Sequence, residues 1–107
     1  PNAPRRVARV VPSAAARRDL LAIREYSLEQ FGGAVADAYF LGFDRAFDLL
    51  ADHPLIGTEM PDLGKGIRCL VHRKHRLFYQ FDGEAVLIVR VVHHAMDARR
   101  AIGGGSR

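Results

Sequence analysis

With 107 residues, 49% of them hydrophobic and including six Phe and three Tyr, the chain has room for one domain with a modest core and is too apolar for a disordered segment. Its single cysteine, Cys69, excludes an intrachain disulfide, and no apolar run approaches the ~18 residues of a membrane span. Sixteen Lys and Arg against 12 Asp and Glu leave a net charge of +4, and the excess is nearly all arginine. Arginine favours planar contacts to carboxylate or phosphate, so an acidic protein segment or a nucleic acid is the expected kind of partner.

Arg5 to Val11 alternates charged and apolar residues and reads as a short first strand, stopped by Pro12. Ser13 is a helix N-cap candidate. From Ala14 to Phe31, Ala16, Leu20, Ile23 and Ser27 form one stripe at helical spacing, with Arg17, Arg18, Arg24, Glu25 and Glu29 mostly on the other side. Gly32-Gly33 breaks this helix. A second helix runs from Ala34 to Asp52, with Ala36, Tyr39, Phe40, Phe43, Phe47 and Leu50 recurring every three or four residues, and ends before Pro54. The short Gly-Gly link makes the pair an antiparallel helical hairpin.

Leu55 to Gly66 carries three glycines and a proline and reads as a loop. Strands are predicted over Ile67–Arg73, Arg76–Phe81 and Glu84–Val92. A turn near Lys74-His75 joins the first two, and Asp82-Gly83, a sequence suited to a type I′ turn, joins the last two. The unbroken apolar run Ala85–Val89 suggests a central strand covered on both faces. The first strand is expected to join an edge. The fold class is therefore α+β: an N-terminal strand and an antiparallel helical hairpin packed on a three- to four-stranded antiparallel sheet. One domain spans 5–102. Ala95–Arg100 is a last helical turn or a basic tail, and 103–107 a flexible tail or linker. Pro1–Arg9 lacks the apolar region of a secretory signal, so a soluble, cytoplasmic protein is expected, with no membrane association.

Arg68, Arg76 and Arg90 all fall on predicted strands. Each either pairs locally, across the sheet or with a helix carboxylate such as Asp19 or Glu25, or contributes to a basic face. Alternation puts Arg68 with His72 and Arg76 with Phe78. His93-His94 is a poor metal site, because adjacent strand residues point to opposite faces, and no Cys/His spacing resembles a zinc motif; neither a metal nor another cofactor is expected. Cys69 reads as a buried strand residue. The helical hairpin covers one sheet face and leaves the other to spare. An apolar groove there, rimmed by arginine, would suit an acidic amphipathic segment.

Several stretches resemble one known family. Ala16-Arg17-Arg18-Asp19-Leu20 with Ile23-Arg24-Glu25-Tyr26, and Ala46 to Pro54 followed by Gly57, resemble the helical part of ParE-type toxins of the ParE/RelE superfamily. Gly66-Ile67-Arg68, His75-Arg76-Leu77-Phe78-Tyr79 and Ile88-Val89-Arg90-Val91-Val92-His93 are similar to its strand motifs, in the same order. The resemblance spans about Arg6 to Arg100. It implies two helices on an antiparallel sheet, a ParD-like antitoxin partner bound as a hetero-oligomer, and growth inhibition by binding a target such as DNA gyrase without catalysis. On that reading Arg68, Arg76, Tyr79, Arg90, His93, Met96, Arg99 and Arg100 make target or partner contacts. The RelE and YoeB relatives imply an alternative, a ribosome-dependent mRNA endonuclease. There Arg76 would hold the phosphate, His93 would be the acid and Glu59 the carboxylate, while His94 stands where a tyrosine is expected. A third reading is a detoxified homologue that only binds DNA or regulates through its antitoxin.

Overall fold

The computed structural model describes residues 7–103. The parts of the expected first strand and of the expected tail at residues 5, 6 and 104–107 lie outside them. Among the described residues nine elements follow one another: strand β1 (Arg9–Pro12), helices α1 (Ala14–Phe31) and α2 (Gly33–Asp52), strand β2 (Thr58–Glu59), a 3₁₀ turn (Pro61–Leu63), strands β3 (Arg68–His72), β4 (His75–Phe81) and β5 (Ala85–His93), and the short helix α3 (Ala98–Gly103).

Ser13 starts α1 and also fixes it to the sheet. Its Oγ accepts from Ala16 N at 3.0 Å, the N-cap bond, and donates to Val89 O at 2.9 Å, while its own N–H donates to Ile88 O at 2.9 Å. Gly32 closes α1 and opens α2 at once, with φ +85°, a conformation that favours glycine, and its N–H caps Leu28 O at 3.0 Å. The two helices therefore fold back on each other across a single residue.

The sheet order is β1-β5-β4-β3-β2. The β3–β4–β5 meander is antiparallel as expected, but β1 joins β5 in parallel, Arg9 facing Ala85 and Pro12 facing Ile88. Two helices and three strands separate β1 from β5, so no tight turn dictates their relative direction. The sheet gains a fifth strand within the stretch expected to be loop, where Thr58 and Glu59 pair with Cys69 and Arg68. The Asp82-Gly83 turn also departs from expectation. Gly83 has positive φ and Asp82 does not. Instead the Asp82 carboxylate accepts from Glu84 N and Ala85 N, both at 2.8 Å, and its own N–H donates to Ala85 O.

One register irregularity shapes β5. Phe78 faces Arg90 but Tyr79 faces Ile88, so Val89 is an extra residue. The bulge resets the alternation: Val86, Ile88 and Val91 all enter the core under the hairpin, with Ala16, Phe43, Ala46, Leu50, Leu77 and Tyr79. Val89 and Val92 turn to the opposite face. That face, expected to be spare, carries a second cluster in which Ile67, Cys69, Phe78 and Val92 are covered by Met60 and Leu63 from the 3₁₀ region and by Ala98, Ala101 and Ile102 from α3. The remaining apolar exposure there is at Val71 and Leu87.

Tyr79 is fully buried, and its hydroxyl accepts from Gly57 N at 2.8 Å. Gly57 has no room for a side chain: a Cβ would sit 2.6 Å from the Tyr79 hydroxyl and 2.9 Å from Cys69 O. Because one neighbour is backbone and the other a locked ring, Gly57→Ala should destabilise by about 1–3 kcal/mol. A urea titration of the two proteins checks this, and unchanged stability would show that the loop relaxes freely.

Candidate functional site

The residues proposed from sequence divide into two groups at opposite ends of the sheet. At one end, β4 begins and β5 finishes. Arg76 lies over the Phe78 ring, 5.4 Å from its centroid, and its Nη2 donates to His94 O at 3.2 Å and to Met96 O at 2.7 Å. It thus holds the chain segment that leads from β5 to α3. His93 sits beside it in the register, its ring 5.6 Å from His75 and stacked at 4.4 Å on His94. Its Nδ1 accepts from Ala95 N at 3.1 Å. The stacking of His93 and His94 differs from the expected opposite projection, because β5 ends at His93 and the alternation of a strand no longer governs His94. Among the described residues, no three His, Cys, Asp or Glu side chains are grouped so as to hold a metal.

Arg90 belongs to the same end of the chain but has a different task. Its Nε and Nη2 donate to the Asp19 carboxylate at 2.7 and 2.8 Å, Val91 N donates to the same carboxylate at 2.9 Å, and Arg90 Nη1 donates to Ala101 O at 2.8 Å. This is the local pairing with a helix carboxylate that the sequence offered as one reading. It ties α1, β5 and α3 together. Arg99 and Arg100 stand exposed in the first turn of α3, and Met96 is half exposed beside the Arg76 anchor.

At the other end, Arg68 donates to Leu55 O at 3.0 Å, to Gly57 O at 2.8 Å and to Glu59 at 3.1 Å. Glu59 is exposed on β2 and lies in the same row of the sheet as Arg68 and Tyr79. His93 lies in the row of His75. Four residues of β4 separate those rows, roughly 13 Å at the rise of an extended chain, and three strand spacings add roughly 14 Å sideways. Glu59 is therefore not brought together with Arg76 and His93. Tyr79, with no exposed surface, presents nothing to a partner and acts within the core.

A groove that the sequence reading did not single out lies between the connected end of the hairpin and the β3–β4 turn. It has a volume of about 760 Å³. Ile23, Tyr26 and Phe31 of α1 and Val35 and Tyr39 of α2 form its apolar wall, and Arg73, Lys74, His75 and His93 form its polar end. Arg73 adopts φ +54° at the first of the two turn residues. At the inner end the Tyr39 hydroxyl and His75 Nδ1 are 2.6 Å apart. Burial, followed by the nearby His93, His72 and His94, pushes the His75 imidazole down to about 4, so its ring is neutral at pH 7. His72, likewise lowered by burial, packs against the Phe43 ring at 4.8 Å and leaves no room for a side chain at Gly42. Cys69 is buried on the opposite sheet face, and burial raises its thiol above the usual range, as befits an inert core residue.

A helical hairpin laid on one face of a small mixed sheet, with strand arginines fastening a short C-terminal helix to the other, defines a compact α+β domain of the RelE/ParE type. The family model for the ParE toxin of type II toxin–antitoxin systems matches residues 10–98, and the chain belongs to that family. It is 33% identical over 88 residues to Toxin ParE1 of Caulobacter vibrioides, a match covering 82% of this chain and 91% of that protein. Two solved structures share the fold. One is the chromosomal ParDE system from P. aeruginosa, with TM-score 0.69 and 19% identity over 82% of this chain and 97% of the other. The second is the toxin–antitoxin complex RelBE2 from Mycobacterium tuberculosis, with TM-score 0.62 and 28% identity over 89% and 100% of the two chains. No described helix is long and apolar enough to cross a membrane.

Proposed function

We propose that this ParE-family toxin acts in the cytoplasm by binding a large target, DNA gyrase being the target implied by the resemblance, and that a ParD-like antitoxin neutralises it by direct association in a hetero-oligomer. The solved relatives are described as ParDE and RelBE toxin–antitoxin systems, which supports an antitoxin partner. Its net charge of +4 suits an acidic antitoxin segment.

The observation that carries a binding mode over mRNA cleavage is the separation of Glu59 from Arg76 and His93. Metal-free RNA cleavage needs a base for the 2′-hydroxyl, an acid for the leaving oxygen and a cation on the phosphate, all within reach of one phosphodiester. Here the carboxylate pairs with Arg68 in a distant row of the sheet. Arg76 is engaged by the carbonyls of His94 and Met96. In this reading Met96, Arg99, Arg100 and the exposed His93 carry target contact, and Arg76 and Arg90 hold the segment that presents them.

Pulse labelling after induction of the chain in bacteria without antitoxin tests the proposal. Thymidine incorporation should fall first while methionine incorporation continues. Early collapse of methionine incorporation would instead favour the nuclease, and His93→Gln should then abolish the effect.

A further inference from the structure

We infer that the groove between the hairpin end and the β3–β4 turn is a binding site for a small organic anion with a flat aromatic body, the chemistry of a nucleoside monophosphate. The inference goes beyond the proposed toxin function and does not depend on it. Three observations carry it. First, about 760 Å³ falls within the usual range of small-molecule sites, roughly 300–1,000 Å³. Second, the wall carries flat and apolar side chains left uncovered by the fold: Tyr26 is 60%, Phe31 61% and Val35 51% exposed, with Ile23 behind them. Exposed aromatic rings stack planar groups, and Tyr26 and Phe31 supply two of them on one groove wall.

Third, the charge at the groove's end has one sign. Arg73 and Lys74 line it, no Asp or Glu does, and neither cation has an ion pair or side-chain hydrogen bond among the described residues. Arg24, Arg68 and Arg90, by contrast, are paired with Asp37, Glu59 and Asp19. With His75 neutral, the permanent charge facing the groove comes from the two turn residues, and His93 adds a hydrogen-bonding ring beside them. A phosphate at Arg73 and Lys74 would place an attached aromatic base along the Tyr26 and Phe31 wall.

Titration calorimetry of the whole chain with adenosine monophosphate, and with adenosine as the uncharged control, tests this. The nucleotide should bind with a dissociation constant of roughly 0.1–1 mM, and adenosine about tenfold more weakly. The double variant R73N/K74Q removes both charges, and asparagine tolerates the positive φ at position 73. It should weaken the nucleotide about tenfold and leave adenosine unchanged. Y26A should weaken both ligands, and a thermal melt confirms that each variant is folded. Absence of nucleotide binding up to about 5 mM, far above the affinity range expected of such a site, would overturn the inference. So would equal binding by the folded R73N/K74Q protein. If an acidic amphipathic helical peptide binds there and the nucleotide does not, the groove is a protein-docking surface and the small-molecule assignment is wrong.

Discussion

Asp19→Ala should be the most damaging single substitution at the surface of the hairpin, lowering stability by about 2–3 kcal/mol. The carboxylate accepts three hydrogen bonds, two from Arg90 and one from Val91 N, and is only 15% exposed. Its loss leaves the Arg90 guanidinium, 26% exposed, without a counter-charge, and leaves a backbone N–H of the bulged strand without its acceptor. Breaking a fully buried pair from one side costs about 3–5 kcal/mol; partial solvent access to Arg90 reduces that here. For a domain of this size the fall corresponds to roughly 10–20 °C in Tm. The effect should extend beyond α1, because the same guanidinium holds Ala101 O and so secures α3. Amide exchange in 98–103 should accelerate along with the loss of stability. Replacing both partners, Asp19→Leu with Arg90→Met, should recover much of the loss, since the charge and its counter-charge leave together. Asp19→Ala within about 0.5 kcal/mol of the parent, the range of ordinary surface changes, would mean the pair contributes no more than an exposed one.

The helical pattern of Ala16, Leu20, Ile23 and Ser27, and of Ala36, Phe43 and Leu50, was readable because a 3.6-residue period needs only local order. Arg90 with Asp19 was readable as one option, since strand arginines seek carboxylates. What was not readable depends on events with no local signal. The extra residue at Val89 inverts the alternation of everything after it, so no parity argument made from one side of the bulge holds on the other. The parallel entry of β1 is decided by where α1 and α2 return the chain. α3 covers the second sheet face with two alanines and an isoleucine, too weak a pattern to announce a cover.

The candidate site was legible in the same uneven way. Arg76, His93 and Met96 gather as their nearness in strand order suggests, and Arg99 and Arg100 follow on α3. Glu59 does not join them, since its position depends on a two-residue strand inside a glycine-rich loop. Tyr79 looks like a tyrosine available to a partner until the close approach of Gly57 is seen. The groove has no sequence signal because Tyr26 lies beside the α1 stripe of Ala16, Leu20, Ile23 and Ser27, and Phe31 is the last residue of that helix. Their exposure is set by what fails to pack on them, which sequence spacing does not record.

Acidification should begin to lower the protein's stability at pH values above those at which ordinary carboxylates titrate. His75 has a usual value near 6.5 and is held down to about 4 in the fold, first by burial and then by repulsion from His93, His72 and His94. The neutral ring is hydrogen-bonded to the Tyr39 hydroxyl at 2.6 Å and packs 5.9 Å from Phe43, an environment that disfavours a cation. Above pH 6.5 the ring is neutral in both states and contributes no pH dependence. As the pH falls from 6.5 towards 4, the unfolded chain takes up a proton that the folded one refuses, so stability declines. Below 4 both states are protonated and the decline from this group stops. The fall over the window should be about 2–3 kcal/mol. His72, also lowered by burial, acts in the same direction. Asp82, whose value is lowered by the turn N–H groups of Ala85 and Glu84, loses its contribution only at lower pH and does not obscure the window. Urea midpoints measured between pH 7.5 and 4.5 should slope downward, and His75→Gln, which can still hydrogen-bond the Tyr39 hydroxyl but carries no titrating group, should flatten most of that slope. A midpoint constant to pH 5, or an unchanged slope in His75→Gln, would show that the imidazole is free to ionise at the end of the groove and that its charge, beside Arg73 and Lys74, is accommodated by the fold.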